Sequence, residues 1–572
     1  MLRLDRVSKI YPNGEALKDV SWELKAGERM GLVGANGTGK TTQFKIITGE
    51  IEATSGDVFK NSGLKVAYLT QEFEVSAENT VRDELLCAFK EAHDIKAALH
   101  VVQHSLETAN PDELEPLLKK LDRLQRAFEL ADGYGLERRV DKILPEIGFT
   151  SEQADRLVGT FSGGWQMRIG FGKVMLQQPD VLLLDEPTNH IDLETIEWLE
   201  SYLRSLSTPM VIVSHDRHFL DRLCTKIVEI ERGVSTTYSG NYTNYVTIKE
   251  EQRQAQLAAF ERQQREIERQ EVFVERFRAS ATRSTQAKSR EKQLDKIELI
   301  DEPETDVRTL KFRFPETSRS GKEVAVIKSM THAYDDNILF MDANLMVERG
   351  DRIAILGPNG SGKSTLLRLI SGREQPLDGS VSLGEHHVTL AYFEQNQAEA
   401  LDMEKTVLET IADEVNWKDT EIRTLLGRFL FSGDNVFKRV KDLSGGEKAR
   451  LALAKMLTVP ANFLILDEPT NHLDIPAKET LEDAIKNFSG SVIVVSHDRY
   501  FISQVANKIV EIKDGSLRSF AGGYDYYRQK ITEEQERAER ARLAAEQEAK
   551  LADKRAKQKE KELAKKKARK QG

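Results

Sequence analysis

Two runs stand out in the hydropathy pattern of the chain: VLLLDEPTNHID from Val181 to Asp192, and FLILDEPTNHLD from Phe463 to Asp474. In each, apolar residues run unbroken into a pair of carboxylates. Such runs predict strands buried on both faces of a parallel sheet. The acids then emerge at the C-terminal tip, where open α/β sheets bind their ligands. Pro187 and Pro469 are expected to end the strand geometry, because proline cannot donate to a ladder. Two further apolar runs, RMGLVG and RIAILG, read as strands, and the FKIITG and LLRLISG stretches after them read as helices. Between the first helix and Val181 the pattern changes. Leu114, Leu117, Leu118, Leu121, Leu124 and Phe128 recur at helical spacing. Asn110-Pro111 separates them from an earlier helical stretch, Val81 to Leu106. A two-helix hairpin within about residues 86–140 follows, projecting from its domain. From Val246 there is no glycine until Gly321 and no proline until Pro303. That charged stretch, with sparse apolar positions, reads as a long exposed helix or a helical hairpin.

The turns between these strands and helices carry the chemistry. Gly34–Thr41 (GANGTGKT) and Gly357–Ser364 (GPNGSGKS) both fit a phosphate loop. The glycines (Gly34, Gly37, Gly39; Gly357, Gly360, Gly362), with Asn36 and Asn359, let backbone N–H groups wrap phosphates. Lys40 and Lys363 reach the β/γ-phosphates. Thr41 and Ser364 offer hydroxyls to Mg²⁺, followed by Thr42 and Thr365. Of the paired acids, Asp185 and Asp467 suit Mg²⁺, and Glu186 and Glu468 suit a base that polarises an attacking water.

The motifs repeat at matched distances. Tyr11 precedes Lys40 by 29 residues, and Tyr334 precedes Lys363 by 29. Gln71 follows its lysine by 31 and Gln395 by 32; Ser162 to Asp185 and Ser444 to Asp467 are both 23; Glu186 to His215 and Glu468 to His497 are both 29. The offset between copies is 324 at the glutamines and 282 at the serines, so the first copy holds 42 extra residues (324 less 282) between Gln71 and Ser162. Those are the residues of the predicted hairpin.

FSGGWQ (Phe161–Gln166) and LSGGEK (Leu443–Lys448) resemble the signature motif of ATP-binding cassette proteins. Gln71 and Gln395 stand where that superfamily has its Q-loop, and His215 and His497 where it has its switch histidine. Two cassettes on one chain, DEPTNH twice and a charged linker resemble the ABC-F family of ribosome-associated translation factors, over roughly residues 1–525. Phe161 departs from the usual leucine, with little effect expected because the serine and glycines make the phosphate contacts. The resemblance implies an α/β fold with two P-loop cassettes in tandem, hydrolysing ATP with Mg²⁺ at two composite sites. The first would combine Lys40, Thr41, Gln71, Asp185, Glu186 and His215 with the other copy's Ser444, Gly445 and Gly446. The second would combine Lys363, Ser364, Gln395, Asp467, Glu468 and His497 with Ser162, Gly163 and Gly164. Gln71 and Gln395 would join the metal ligands, and Tyr11 and Tyr334 would stack on adenine. Expected boundaries are 1–245 for the first cassette, 246–321 for the linker, 322–525 for the second cassette and 526–572 for a basic tail, helical or disordered. In the resembled family the hairpin is an arm that touches the ribosome, and the linker reaches toward tRNA in the exit site.

Composition narrows the alternatives. Net charge is −10, so nucleic-acid contact must sit in local basic patches. Arg276–Lys296 is one, with seven basic residues against Glu291 and Asp295; the tail from Lys550 to Lys570, with 11 basic residues against Asp553, Glu560 and Glu562, is another. Such patches suit a phosphate backbone without base readout, and the family resemblance implies that it is rRNA or tRNA. Cys87 and Cys224 are too few for a zinc or iron–sulfur site and suit a reducing cytosol. The N-terminus has no apolar leader core and reads as a first strand. No apolar run approaches the ~18–20 residues that span a bilayer. Neither a membrane nor a transmembrane subunit is therefore expected, which disfavours a transporter's ATPase component, since the hairpin and linker have no task there. A DNA-associated ATPase is the other alternative, binding branched DNA through linker and tail.

Overall fold

The computed structural model describes residues 2–12, 14–70, 75–107, 111–130, 133–189, 191–277, 294, 317–334, 337–394, 400–415, 417–429, 431, 433–471 and 473–544. Gln71, Gln395, the linker tip beyond Phe277 and the tail beyond 544 lie outside them.

Each half of the chain builds the same two sheets. In the first, a six-stranded sheet runs in the order Val66–Leu69, Val181–Asp185, Met210–Val213, Arg29–Val33, Lys226–Glu231, Val234–Ser239. Only the last strand is antiparallel to its neighbour. The VLLLD strand lies inside this sheet and is buried along its whole length, as a run without polar alternation requires. A three-stranded antiparallel sheet, Gly14–Leu24, Leu2–Tyr11 and Ser55–Lys60, packs on one face through Leu4, Val20, Trp22, Phe44, Leu183 and Val213. Helices cover the other face through Leu182, Leu184, Leu199, Phe219 and Leu220. The second half repeats the order with Leu390–Phe393, Phe463–Asp467, Ser491–Val495, Arg352–Leu356, Lys508–Lys513 and Ser516–Phe520.

The predicted hairpin is present as Lys90–Glu107 and Pro111–Leu130. Val102 and Phe128 are buried, and Phe128 joins Leu136, Val140 and Ile169 in a core beneath the hairpin. The earlier stretch is not one helix, as the spacing had suggested. It breaks after Val81–Leu86, whose first turn is capped by Thr80 accepting from the Asp83 N–H. Glu84 ties this short helix to Lys173, and the chain turns at Cys87–Phe89 to leave the core. Among the described residues, the second cassette has the short helices Val407–Ala412 and Asp419–Arg428 at this place.

Two of the expected domain boundaries, 245/246 and 525/526, fall inside helices. The linker helix starts at Tyr242 and runs to Phe277. Tyr242 and Tyr245 are buried in the first cassette, with the Tyr245 hydroxyl donating to Glu229 Oε1 at 2.6 Å. The helix over 524–544 starts the same way, with Tyr524 and Tyr527 in the second core and Tyr527 donating to Glu511 at 3.0 Å. Both tyrosine pairs sit at the 282-residue offset, so tail and linker helix are copies of one docking element. Upstream of the second cassette, Ser318 O accepts from Asn462 and Ser320 O from Arg349. Residues 317–321 thus pack with that cassette.

Candidate functional site

The phosphate loop of each half hangs from the end of a central strand and closes onto a helix N-terminus, Lys40–Thr48 or Lys363–Ile370. Gly39 and Gly362 cap these helices in the left-handed region, at φ 86° and 92°. A Cβ on Gly39 would also come within 2.6 Å of Leu17, so both backbone and space call for glycine there. Lys40 Nζ donates to Gly34 O at 2.7 Å and Ala35 O at 3.0 Å. Lys363 makes the same contacts with Gly357 O and Pro358 O, plus Asn359 Oδ1 at 3.3 Å. Burial lowers the pKa of both lysines, opposed by the charges of Glu186 and Glu468.

The paired acids stand opposite. The strand ends at Asp185, two residues before the proline invoked from sequence. Glu186 and Glu468 then take φ 48°, an uncommon value for a residue with a Cβ. Backbone held this way at a site marks a side chain whose aim is fixed by its surroundings. Glu186 Oε2 accepts from the His215 N–H at 3.1 Å, and His215 Nε2 lies 3.4 Å from Glu186 Oε1 and 3.0 Å from Asn36 Oδ1. His497 Nε2 is 3.3 Å from Glu468 Oε1. Burial pushes Glu186 and Glu468 up to about 7, the range suited to a general base. Burial holds His215 well below its ordinary value and His497 near 3, so both are neutral imidazoles at pH 7.

The residues fit a divalent cation. Asp185 interacts with Thr41 and Asp467 with Ser364, yet Oδ1 of each aspartate is buried without a hydrogen-bond partner. A buried, unpaired carboxylate oxygen beside a hydroxyl is a donor set for a hard cation. In the second half these groups meet in a cavity of about 480 Å³ lined by Tyr334, Lys363, Ser364, Asp467, Glu468 and His497, with Asn359, Gly360, Gly362 and Thr365. Tyr334 is held there by its hydroxyl bond to Glu374 at 2.6 Å. Tyr11 is partly exposed, with Lys9 over its ring.

The signature serines do not line that cavity. Ser162 and Ser444 start the helices Gly163–Leu176 and Gly445–Thr458. Ser444 forms a reciprocal capping box with Glu447, and Ser162, with Trp165 at the matching place, does not. Phe161 packs edge-on against Phe149 at 5.3 Å, in the apolar layer that Leu443 fills in the other half.

What joins the halves at the sites is a residue pair that motif reading passed over. Asp474 Oδ2 accepts from the Asn36 N–H at 3.2 Å, and Asp192 Oδ2 from the Asn359 N–H at 3.2 Å. The other oxygen of each aspartate caps its own helix, at Thr195 or Ala477. An aspartate directly before a helix is a readable capping signal, but its second bond is visible only in three dimensions. Asp192→Ala should cost about 1 kcal/mol through the lost cap, with Asp192→Asn nearly neutral in thermal melting. Arg217–Glu479 at 2.7 Å and Arg499–Glu200 at 3.0 Å add ion pairs across the same seam.

A family model described as ABC transporter matches residues 17–189 and 340–471, and a second with that description matches 228–314. The chain is 52% identical over 544 residues to ABC transporter F family member 2 of Arabidopsis thaliana, covering 94% of this chain and 80% of that one. It is 40% identical to the putative ATP-binding protein YdiF of Bacillus subtilis (strain 168), covering 94% and 84%. Among solved structures, the archaeal ribosome recycling factor aABCE1, solved with the ribosomal stalk protein aP1, shares the fold at TM-score 0.58 and 19% identity, over 92% of both chains. RNase-L Inhibitor does so at 0.56 and 21%, over 91% of both. Among the described residues, no helix is long and apolar enough to cross a membrane.

Proposed function

The chain belongs to the ABC-F family and is a Mg²⁺-dependent ATP hydrolase; from that premise we propose that its ATP cycle controls binding to the ribosome near the tRNA exit site. Each γ-phosphate would draw the opposite signature turn inward, so that Ser444 closes the first site and Ser162 the second. Glu186 and Glu468 would take a proton from the attacking water, and neutral His215 and His497 would hold the γ-phosphate. Magnesium, held by Asp185 with Thr41 or Asp467 with Ser364, would neutralise phosphate charge. Hydrolysis removes the bridging group and releases the halves.

One observation carries the ribosomal reading: helical elements with no part in either nucleotide site leave the cassettes. They are the hairpin of Lys90–Leu130 and the helix Tyr242–Phe277, which leads toward the basic patch. Two structural neighbours, aABCE1 in complex with the ribosomal stalk protein aP1 and ABCE1 with ribosome-bound archaeal Pelota, agree with this reading. Changing Arg283, Lys288, Arg290 and Lys292 to Ala should weaken co-sedimentation with ribosomes. It should also flatten the salt dependence, by about 0.7–0.9 in the log–log slope per lost phosphate contact. Equal binding by variant and parent at every salt concentration would contradict a role for the linker. Sedimentation that survives RNase but not DNase would point instead to DNA.

A further inference from the structure

The two halves repeat the site residues and the aspartate contacts with the opposite phosphate loop, but not every residue that reaches across the seam. Lys478, on the helix Ile475–Asn487 of the second cassette, is buried at the seam. Its Nζ donates to the backbone carbonyl of His215 in the first cassette at 3.0 Å and to Asp498 Oδ2 at 2.7 Å. The residue at the matching place in the first cassette is Ile196, 282 positions earlier, and it is buried in an apolar core. Nothing equivalent can therefore reach His497 from Ile196. The helix supports differ in the same sense. Arg450 of the second cassette pairs with Asp474 at 3.1 Å, which in turn holds the first phosphate loop at Asn36. Arg168, its counterpart, lies instead over the rings of Trp165 and Trp198, at 4.5 and 4.7 Å.

A line of hydrogen bonds thus crosses the seam in one direction. It runs from Lys478 Nζ to His215 O, and from the His215 N–H to Glu186 Oε2 at 3.1 Å. We propose that Lys478 is a positioning residue of the first site, through which the second cassette sets the place of His215 and Glu186. It rests on the reading of Glu186 and Glu468 as the bases. The two sites are then unequal by construction: hydrolysis at the first depends on the seat of the second cassette's helix, and among the described residues no counterpart of Lys478 tethers His497 in the second. A purely structural lysine would do something else. It would only balance the buried carboxylate of Asp498, and its loss would harm folding without favouring one site.

The test isolates each site. In a Glu468→Gln background only the first site hydrolyses, and in Glu186→Gln only the second. Phosphate formed in the first turnover is measured by rapid quench at saturating ATP. Lys478→Met should slow the first site on the order of ten- to a hundredfold, as small misplacement of reacting groups does. The second site and the ATP concentration for half-saturation should stay within about twofold. Adding Asp498→Asn removes the carboxylate that Lys478→Met leaves buried and unpaired, and asparagine keeps the cap on Phe501. This double change should restore the melting temperature and leave the first site slow. Equal slowing at both sites, an unslowed first site, or a first site rescued by Asp498→Asn would each overturn the proposal. A parent Glu468→Gln protein with no first turnover would instead contradict the assignment of Glu186, and the inference would fall with it.

Discussion

Replacing Glu186 and Glu468 together by Gln should lower ATP turnover by about two to four orders of magnitude, the usual contribution of a positioned base, while ATP stays bound. The substitution keeps the size and the polar atoms of the side chain. The Gln carbonyl oxygen can still accept from the His215 N–H, as Glu186 does. What is lost is a basic oxygen facing the place of the attacking water. Because burial already brings both glutamates to about 7, their carboxylates are better bases than exposed ones. Without hydrolysis the bridging γ-phosphate persists, so the halves should remain closed on nucleotide. Gel filtration after incubation with ATP and Mg²⁺ should recover up to two ATP per chain with the double variant. Rapid loss of ATP would count against sites shared between the cassettes.

Lys40→Ala or Lys363→Ala should act earlier in the cycle. Each lysine is buried against the carbonyls of its own loop, and its charge favours the ionised form of the glutamate of its site. Truncation leaves the phosphates without that charge and the carboxylates without their counter-ion. A buried charge stripped of its partner commonly costs about 3–5 kcal/mol. Part of that should fall on ATP affinity and part on turnover. Each single variant should bind ATP more weakly by titration and hydrolyse it at a small fraction of the parent rate. Unchanged rates in both variants would remove these lysines from the site.

How far the chain could be read in advance depended on what repeats. Lys40 and Lys363, Asp185 and Asp467, His215 and His497 are repeated residues at repeated spacings. A fold with the same sheet order twice places them alike. The hairpin was legible because its apolar residues keep helical spacing over several turns. The break at Cys87–Phe89 was not, because a turn between two good helix formers leaves no proline or glycine behind. Tyr242, Tyr245, Tyr524 and Tyr527 repeat as faithfully as the motifs, but the charged residues after them led the eye to a linker and a tail. The seam was hidden for a different reason. Comparing copies rewards identity, and the informative positions there, Lys478 against Ile196 and Glu447 against Trp165, are those where the copies differ.

The central claim is that ATP, held between the cassettes, switches the protein onto the ribosome. The measurement that meets it most directly is sedimentation of the Glu186→Gln, Glu468→Gln variant through a sucrose cushion with ribosomes, in ATP and in ADP, each with Mg²⁺. The predicted result is near-stoichiometric protein in the ribosomal pellet with ATP and little with ADP. Equal recovery with the two nucleotides, or none with either, would contradict it.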